Sequence, residues 1–320
     1  MQLRILVSSA GRRVALIECF RRAALDLKID LEVLACDIEP GLSAGCQAAD
    51  RAFQVPRCDD PGFVDAVCGI VEANGVALVI PTIDPELRPL AAAASRFASL
   101  GARLHVSPPE VVDVVRDKLA TMRVLDAAGV PVPQSTDLAE ARDRPGDWSW
   151  PVFMKPSRGS ASRGLCVVSG PAELPDRVDE PMIVQELLEG PEYTANMFID
   201  MHGVLQSVVA HRRLQIRAGE VEKGRTQRHP AIAELARGIV GALPDARGAL
   251  CFQVIMDRQR GPRVIEINAR FGGGYPLADH AGATFARWLL EEVAGLPATA
   301  HDNWRDGVLM LRYDAAVFIS

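Results

Sequence analysis

The segment Arg263-Val264-Ile265-Glu266-Ile267-Asn268-Ala269-Arg270-Phe271-Gly272-Gly273-Gly274 decides how this chain is read. Side chains of a strand alternate between faces. Glu266 and Asn268 therefore point one way and Ile265 and Ile267 the other, with Arg270 extending the polar face if the strand persists. A carboxylate and an amide oxygen two residues apart are hard donors suited to Mg2+, which takes few protein ligands and completes its shell from phosphate and water. Arg270 then stands where a transferred phosphoryl group or a carboxylate must be neutralised. The glycines, Gly273 among them, let backbone approach a ligand. A solvent-facing strand would show the same polar alternation, but the apolar Ile265 and Ile267 count against it. Phe252-Gln253-Val254-Ile255-Met256 lies just upstream and belongs to the same constellation.

Further upstream, Trp150 to Pro156 reads as a strand that carries Lys155. Ser157-Arg158-Gly159-Ser160-Ala161-Ser162-Arg163-Gly164 follows, and then a second strand, Leu165 to Ser169. Two strands joined by a small polar loop predict a hairpin whose tip folds over a ligand. Backbone amides around Ser157, Gly159, Ser160, Ser162 and Gly164 can approach phosphate oxygens, with Lys155 as the cation beside them. The alternative is a solvated hairpin tip. No Walker pattern occurs anywhere in the chain. Met182 to Leu188 is an apolar strand ending at Glu186-Leu187-Leu188, and Glu189-Gly190-Pro191-Glu192 turns the chain. A hinge that exposes a carbonyl and an amide can read adenine, and a nearby carboxylate suits ribose. A plain surface acid cluster competes with that reading for Glu186 and Glu189.

Residues 3 to 107 alternate β-branched runs with helical patterns, which predicts a doubly wound parallel sheet. The expected strands are Leu3 to Ser8, Leu31 to Cys36, Ala77 to Pro81 and Arg103 to Val106; the expected helices are Val14 to Leu27, Phe63 to Ala73 and Pro85 to Leu100. Ser9-Ala10-Gly11-Arg12-Arg13 opens the first helix, a place where amides bind anions, and makes Gly11 and Arg12 candidate substrate residues. It lacks the G-x-G-x-x-G of a nicotinamide site. Thr82, Asp84 and Glu86 leave the carboxyl end of a strand, where open sheets place ligands, although helix capping is the simpler role for each acid. A helix from Glu110 to Ala128 ends at Gly129, and Val130-Pro131-Val132-Pro133 stops it. The basic run His211-Arg212-Arg213, with Arg217, Lys223 and Arg225 after it, nominates Arg213 and Lys223, against a solvated charged loop.

With 320 residues the chain has room for two domains. The formal charge of -6 and the 5% aromatic content argue against a nucleic-acid surface. No signal peptide and no apolar run of membrane-spanning length is seen, so a soluble, cytoplasmic protein with no membrane partner is expected. Seven scattered cysteines without a C-x-x-C pair fit reduced thiols.

In their order, these motifs resemble the ATP-grasp superfamily, and within it the branch similar to the carbamoyl phosphate synthetase large subunit. The resemblance implies a Rossmann-like pre-ATP-grasp domain over 1–108 and a two-lobed ATP-grasp domain over 109–320. The second would divide into a flexible nucleotide-binding lobe at about 130–190 and a metal and substrate lobe at about 191–320. It implies that Lys118 and Lys155 contact ATP phosphates, that Glu186, Leu187 and Leu188 hold adenine, and that Glu192 takes the ribose. Gln253, Glu266 and Asn268 fall at metal-ligand positions for Mg2+, or alternatively Mn2+, and Arg270 at the catalytic arginine. Gln253 stands where many superfamily ligases carry an acid, so one ion would be held more weakly; Asp257 is a nearby substitute. A single set of motifs in a short chain speaks against carbamoyl phosphate synthesis itself. The implied activity is an ATP-dependent ligase that activates a small carboxylate as an acyl phosphate and joins it to an amine, in a possible homodimer. A small-molecule kinase and a silent nucleotide-binding regulatory subunit are the alternatives.

Overall fold

A computed structural model describes residues 1–159 and 164–319. The first third of the chain runs β1 (Gln2–Ser8), α1 (Val14–Leu27), β2 (Asp30–Asp37), α2 (Ala44–Ala48), β3 (Arg51–Gln54), α3 (Phe63–Asn74), β4 (Leu78–Pro81), α4 (Asp84–Ala92), α5 (Ala94–Ser99) and β5 (Arg103–Leu104). Its five strands form a sheet in the order β3-β2-β1-β4-β5, with every pair parallel. The order reverses direction between β1 and β4. The loops leaving their carboxyl ends, residues 9–13 and 82–83, flank the crevice that such a reversal creates.

Two helices, α6 (Pro109–Arg116) and α7 (Lys118–Ala127), lead into β6 (Ser135–Asp137), α8 (Leu138–Asp143), β7 (Val152–Pro156), β8 (Cys166–Val168) and β9 (Met182–Glu186). These strands make a four-stranded antiparallel sheet, β6-β9-β7-β8, with Met154 opposite Cys166 in the expected hairpin. The remainder is β10 (Glu192–Ile199), β11 (Leu205–Arg217), β12 (Glu220–Thr226), α9 (Pro230–Ala242), β13 (Gly248–Asp257), β14 (Gly261–Asn268), α10 (Tyr275–His280), α11 (Phe285–Ala294) and β15 (Leu309–Leu311). Its strands form a six-stranded antiparallel sheet in the order β14-β13-β10-β11-β12-β15.

Several expected boundaries move for local reasons. The single helix expected from Glu110 to Ala128 is two, because Asp117 adopts an extended conformation and caps α7 by accepting from the amides of Leu119 and Ala120 at 3.1 Å. Such a cap contributes about 1 kcal/mol. The helix expected from Pro85 to Leu100 likewise breaks at Ala93. Strand β3 and helix α2 were not expected at all. Strand β3 is four residues long, lies at the sheet edge and is mostly exposed, so no apolar run marks it.

One face of the first sheet has an interior of its own, where Leu6, Leu34 and Val79 pack with Phe63, Val67, Val71, Leu90 and Phe97; the other face shares its interior. Ile5, Ile17 and Phe20 pack in one cluster with Phe198, Phe271, Phe285 and Trp288 from the far end of the chain. By contrast, Leu138, Trp148, Val152, Met154, Val168 and Val184 form a separate small core under the four-stranded sheet. No helix among the described residues is long and apolar enough to cross a membrane. All seven cysteines are free.

Candidate active site

A cavity of about 830 Å3 opens between the four-stranded sheet, the six-stranded sheet and the carboxyl ends of β1 and β4. Its long axis can be followed along β13. At one end the chain leaving β9 is clamped onto this strand: Glu189 N donates to Asp257 Oδ2 at 2.9 Å and Met256 N to the Pro191 carbonyl at 3.0 Å. In the middle Gln253 lies opposite Glu266, and towards the other end Cys251 lies opposite Asn268 and touches Gly272. At about 3.4 Å per residue, Asp257 and Cys251 are about 20 Å apart. That span suits a nucleotide triphosphate with room left beyond it.

The clamped end carries the segment expected to act as a hinge. Leu187 and Leu188 line the cavity, and among the described residues no backbone hydrogen bond engages their amides or carbonyls. Phe153, Ile255 and Ile265 supply apolar walls beside them. Glu186 lines the cavity too and is paired with Arg260 at 3.2 Å.

In the middle, two lysines meet one carboxylate. Lys155, buried on β7, donates from Nζ to the Ile265 carbonyl at 3.3 Å. Burial pulls its pKa down to about 8, although Glu266 opposes the fall. Lys118, the first residue of α7, donates to the Gly159 carbonyl at 2.9 Å and stands 3.8 Å from Glu266 Oε1. With its amide turned so that each end meets a complementary group, Gln253 donates to Glu266 Oε2 at 3.3 Å and accepts from Arg213 Nη1 at 3.2 Å. Arg213 is itself held by Glu192 and by the Gly219 carbonyl, and its Nε is unpartnered. The segments bearing Lys155 and Glu266, distant in sequence, thus face each other across one cavity.

Beyond Glu266, Arg270 follows the end of β14 and is gripped by Asp84, Nε to Oδ1 at 3.0 Å and Nη2 to Oδ2 at 2.6 Å. A third bond joins Nη2 to Asn268 Oδ1 at 3.1 Å. Thr82 and Gly273 also line this end, and Arg12 and Arg13 enter it from the loop after β1.

Some nominated residues stand elsewhere. Glu86 is fully buried and accepts from Ser8, Ser9 and the amides of Thr82 and Ile83, so it caps α4 instead of lining the cavity. Gly11 spends its amide on Asp37 at 2.8 Å and is not part of the wall. Ser157 lies just behind the wall, its hydroxyl donating to Asp117 at 2.9 Å. Gly164 packs against Pro156. Lys223 is exposed on β12 opposite Leu311, beyond the part of that strand that reaches the cavity. Asp257 is consumed by the amides of Glu189, Gln259 and Arg260. Ser160 and Ser162 lie outside the described residues.

The glycine triplet lines the cavity and is also crowded from behind. A Cβ at Gly273 would lie 2.6 Å from the Glu220 carboxyl carbon, and one at Gly274 would lie 2.7 Å from His211 Nε2. Protein side chains already press on this loop. Sequence reasoning missed Glu220 and His211. Burial, with Arg213 and Arg312, holds the His211 pKa down to about 3, so its ring is neutral. The signal for Glu220 was the turn at Ala218-Gly219, both at positive φ, which delivers it to the start of β12.

A cleft of nucleotide size between a hairpin flap and an antiparallel platform, beside a doubly wound sheet, defines the ATP-grasp class. The ATP-grasp domain family matches residues 115–274, half of the chain, and the "PylC-like, N-terminal domain" family matches residues 5–105. The chain belongs to the ATP-grasp family. The carbamoyl phosphate synthase large chain of Beutenbergia cavernae is 28% identical over 182 residues, 56% of this chain and only 16% of that one. This chain therefore spans well under two thirds of that relative. Among solved structures, the biotin carboxylase domain dimer of Hydrogenobacter thermophilus 2-oxoglutarate carboxylase, in complex with MgADP, ADP and bicarbonate, gives a TM-score of 0.73 at 18% identity. It covers 96% of this chain and 73% of its own. An L-amino acid ligase from Bacillus licheniformis gives 0.69 at 18% identity, covering 95% and 77%. At these identities the structural likeness is one of fold.

Proposed function

We propose that this chain is an ATP-dependent carboxylate–amine ligase. The observation that carries the reading is the convergence of Lys118 and Lys155 on Glu266 inside one cavity whose hinge end offers unpaired backbone groups. In this reading adenine lies against Leu187 and Leu188, with Glu186 and Glu192 at the base and ribose. The phosphates lie along Gly159, Lys118 and Lys155. Glu266, Asn268 and Gln253 would hold Mg2+ or Mn2+, which neutralises charge on the phosphates. One carboxylate with amide oxygens suits one ion, and Gln253 must turn its oxygen from Arg213 to take part.

A carboxylate oxygen of the substrate attacks the γ-phosphorus, the bond to the β-phosphate oxygen breaks, and ADP leaves. The amine nitrogen then attacks the acyl carbon, phosphate departs with an oxygen from the carboxylate, and the amine gives up a proton. Arg270, aimed by Asp84 and Asn268, faces the charge that develops on the transferred group. Catalysis is positioning and charge neutralisation, with Lys155 and Lys118 as the fixed cations.

The test is isotopic. Oxygen-18 placed in the substrate carboxylate is expected in the released phosphate; a stable phosphorylated product without amide would instead identify a kinase. Glu266→Ala is expected to lower ADP release about a hundredfold or more while AMP-PNP still binds. Undiminished turnover in that variant would remove Glu266 from the chemistry.

A further inference from the structure

Two of the arginines at the far end of the cavity, Arg12 and Arg13, are not used by the reaction just described. Arg12 and Arg13 line that end, and Arg13 Nη1 reaches Glu220 Oε1 at 3.1 Å. Behind them Arg312 takes the other oxygen of Glu220 at 2.9 Å and donates to the Gly273 carbonyl. Glu220 thus holds two guanidiniums in place, while Arg270 is occupied by Asp84. Four guanidiniums, Arg12, Arg13, Arg270 and Arg312, face two carboxylates, Asp84 and Glu220, which leaves two positive charges in excess. Arg12 is exposed into the cavity, and among the described residues no ion pair engages it.

The electrostatics of this end agree with the count. Burial pulls the Arg13 pKa down, and the neighbouring Arg270 and Arg312 add to the fall that Glu220 resists. Burial raises the Glu220 pKa, but Arg13, Arg312 and Arg12 outweigh it and hold the carboxyl below its usual range. The carboxylate is therefore charged at neutral pH and already saturated. An incoming amine finds no free acid here. An incoming anion finds spare N–H donors on Arg13 and all of those on Arg12. Along the β13 axis this end lies past Glu266 on the side away from the hinge, so a nucleotide seated at Leu187 and Leu188 leaves it open.

We propose that Arg12 and Arg13 bind a second carboxylate on the acid substrate, remote from the carboxyl that is activated, so that the enzyme acts on dicarboxylates. The proposal rests on the ligase reading above. Arg12 and Arg13 are binding residues; Glu220 and Arg312 are positioning residues that keep Arg13 turned into the cavity.

The experiment is ADP release from MgATP with hydroxylamine as acceptor, using acids matched in length: succinate against butyrate, glutarate against valerate, and L-glutamate against L-norvaline. The dicarboxylate of at least one pair is expected to exceed its partner at least tenfold in kcat/KM. Arg12→Gln should raise the KM of that dicarboxylate about tenfold with kcat within about threefold, and Arg12→Lys should retain most of the affinity. AMP-PNP binding, measured separately, should not change in either variant. Because no ion pair among the described residues engages Arg12, Arg12→Gln separates binding from folding in a way that Arg13→Gln does not. Acids turned over equally well with and without the second carboxylate, or an unchanged KM in Arg12→Gln, would overturn the proposal and leave the ligase reading standing. Failure of every acid to promote ADP release, with AMP-PNP still bound, would overturn both.

Discussion

Lys155 is a buried charge whose protonation, in the proposed reading, is linked to the nucleotide. Its folded pKa, about 8, lies below the ordinary 10.5, so between those values the unfolded chain holds more protons than the folded one. Stability therefore rises as pH rises through this window, and the full penalty is present below about pH 8. A triphosphate beside the ammonium favours its charged form, so AMP-PNP binding near about pH 8.5 should take up protons. Calorimetry in two buffers of different ionisation enthalpy reads this directly, and Lys155→Met should abolish the difference. Identical heats in both buffers for the parent protein would mean that the nucleotide does not reach Lys155. At this scale the sequence was informative where chemistry and strand period coincide, as at Glu266 and Asn268. It was silent on the partnership of Glu220 with Arg13, which spans 207 residues and leaves no periodic trace.

Among the elements, the hinge after β9 depends on a glycine that is not conformationally special. A Cβ at Gly190 would lie 1.9 Å from the Met256 carbonyl oxygen, so any larger residue lifts the hinge from β13. Gly190→Ala is expected to cost about 2 to 3 kcal/mol and to weaken AMP-PNP binding, because Leu187 and Leu188 move with the clamp. A melting temperature and an affinity equal to those of the parent would show that the hinge does not need this contact. The hairpin, the hinge strand and the parallel sheet were all legible, since alternation, turn residues and βαβ spacing are local signals. The breaks at Asp117 and Ala93 were not, because an Ala-rich or apolar-periodic run reads as continuous until a cap is seen to compete for it. The glycine triplet was legible as a place of close approach, but not the side chains of Glu220 and His211 that press on it.

Across the whole molecule, one face of the amino-terminal sheet packs on the carboxyl-terminal half of the chain, while its other face keeps a core of its own around Phe63, Val67 and Phe97. Phe20 is fully buried in a cluster with Phe271 and Trp288, and Arg22 and Arg103 pair with Asp279 and Glu292 across the same seam. A fragment of residues 1–108 alone should therefore expose this apolar face, bind a hydrophobic dye and melt well below the whole chain. A fragment that binds no dye and melts as high as the whole chain would refute the dependence. The four-stranded sheet packs Trp148, Met154 and Val184 into a small separate core. One of its moorings to β14 is the Lys155 ammonium on the Ile265 carbonyl. In the proposed reading a phosphate oxygen would draw on that same ammonium, so an arriving nucleotide would bear on one of the ties that hold the flap to the platform.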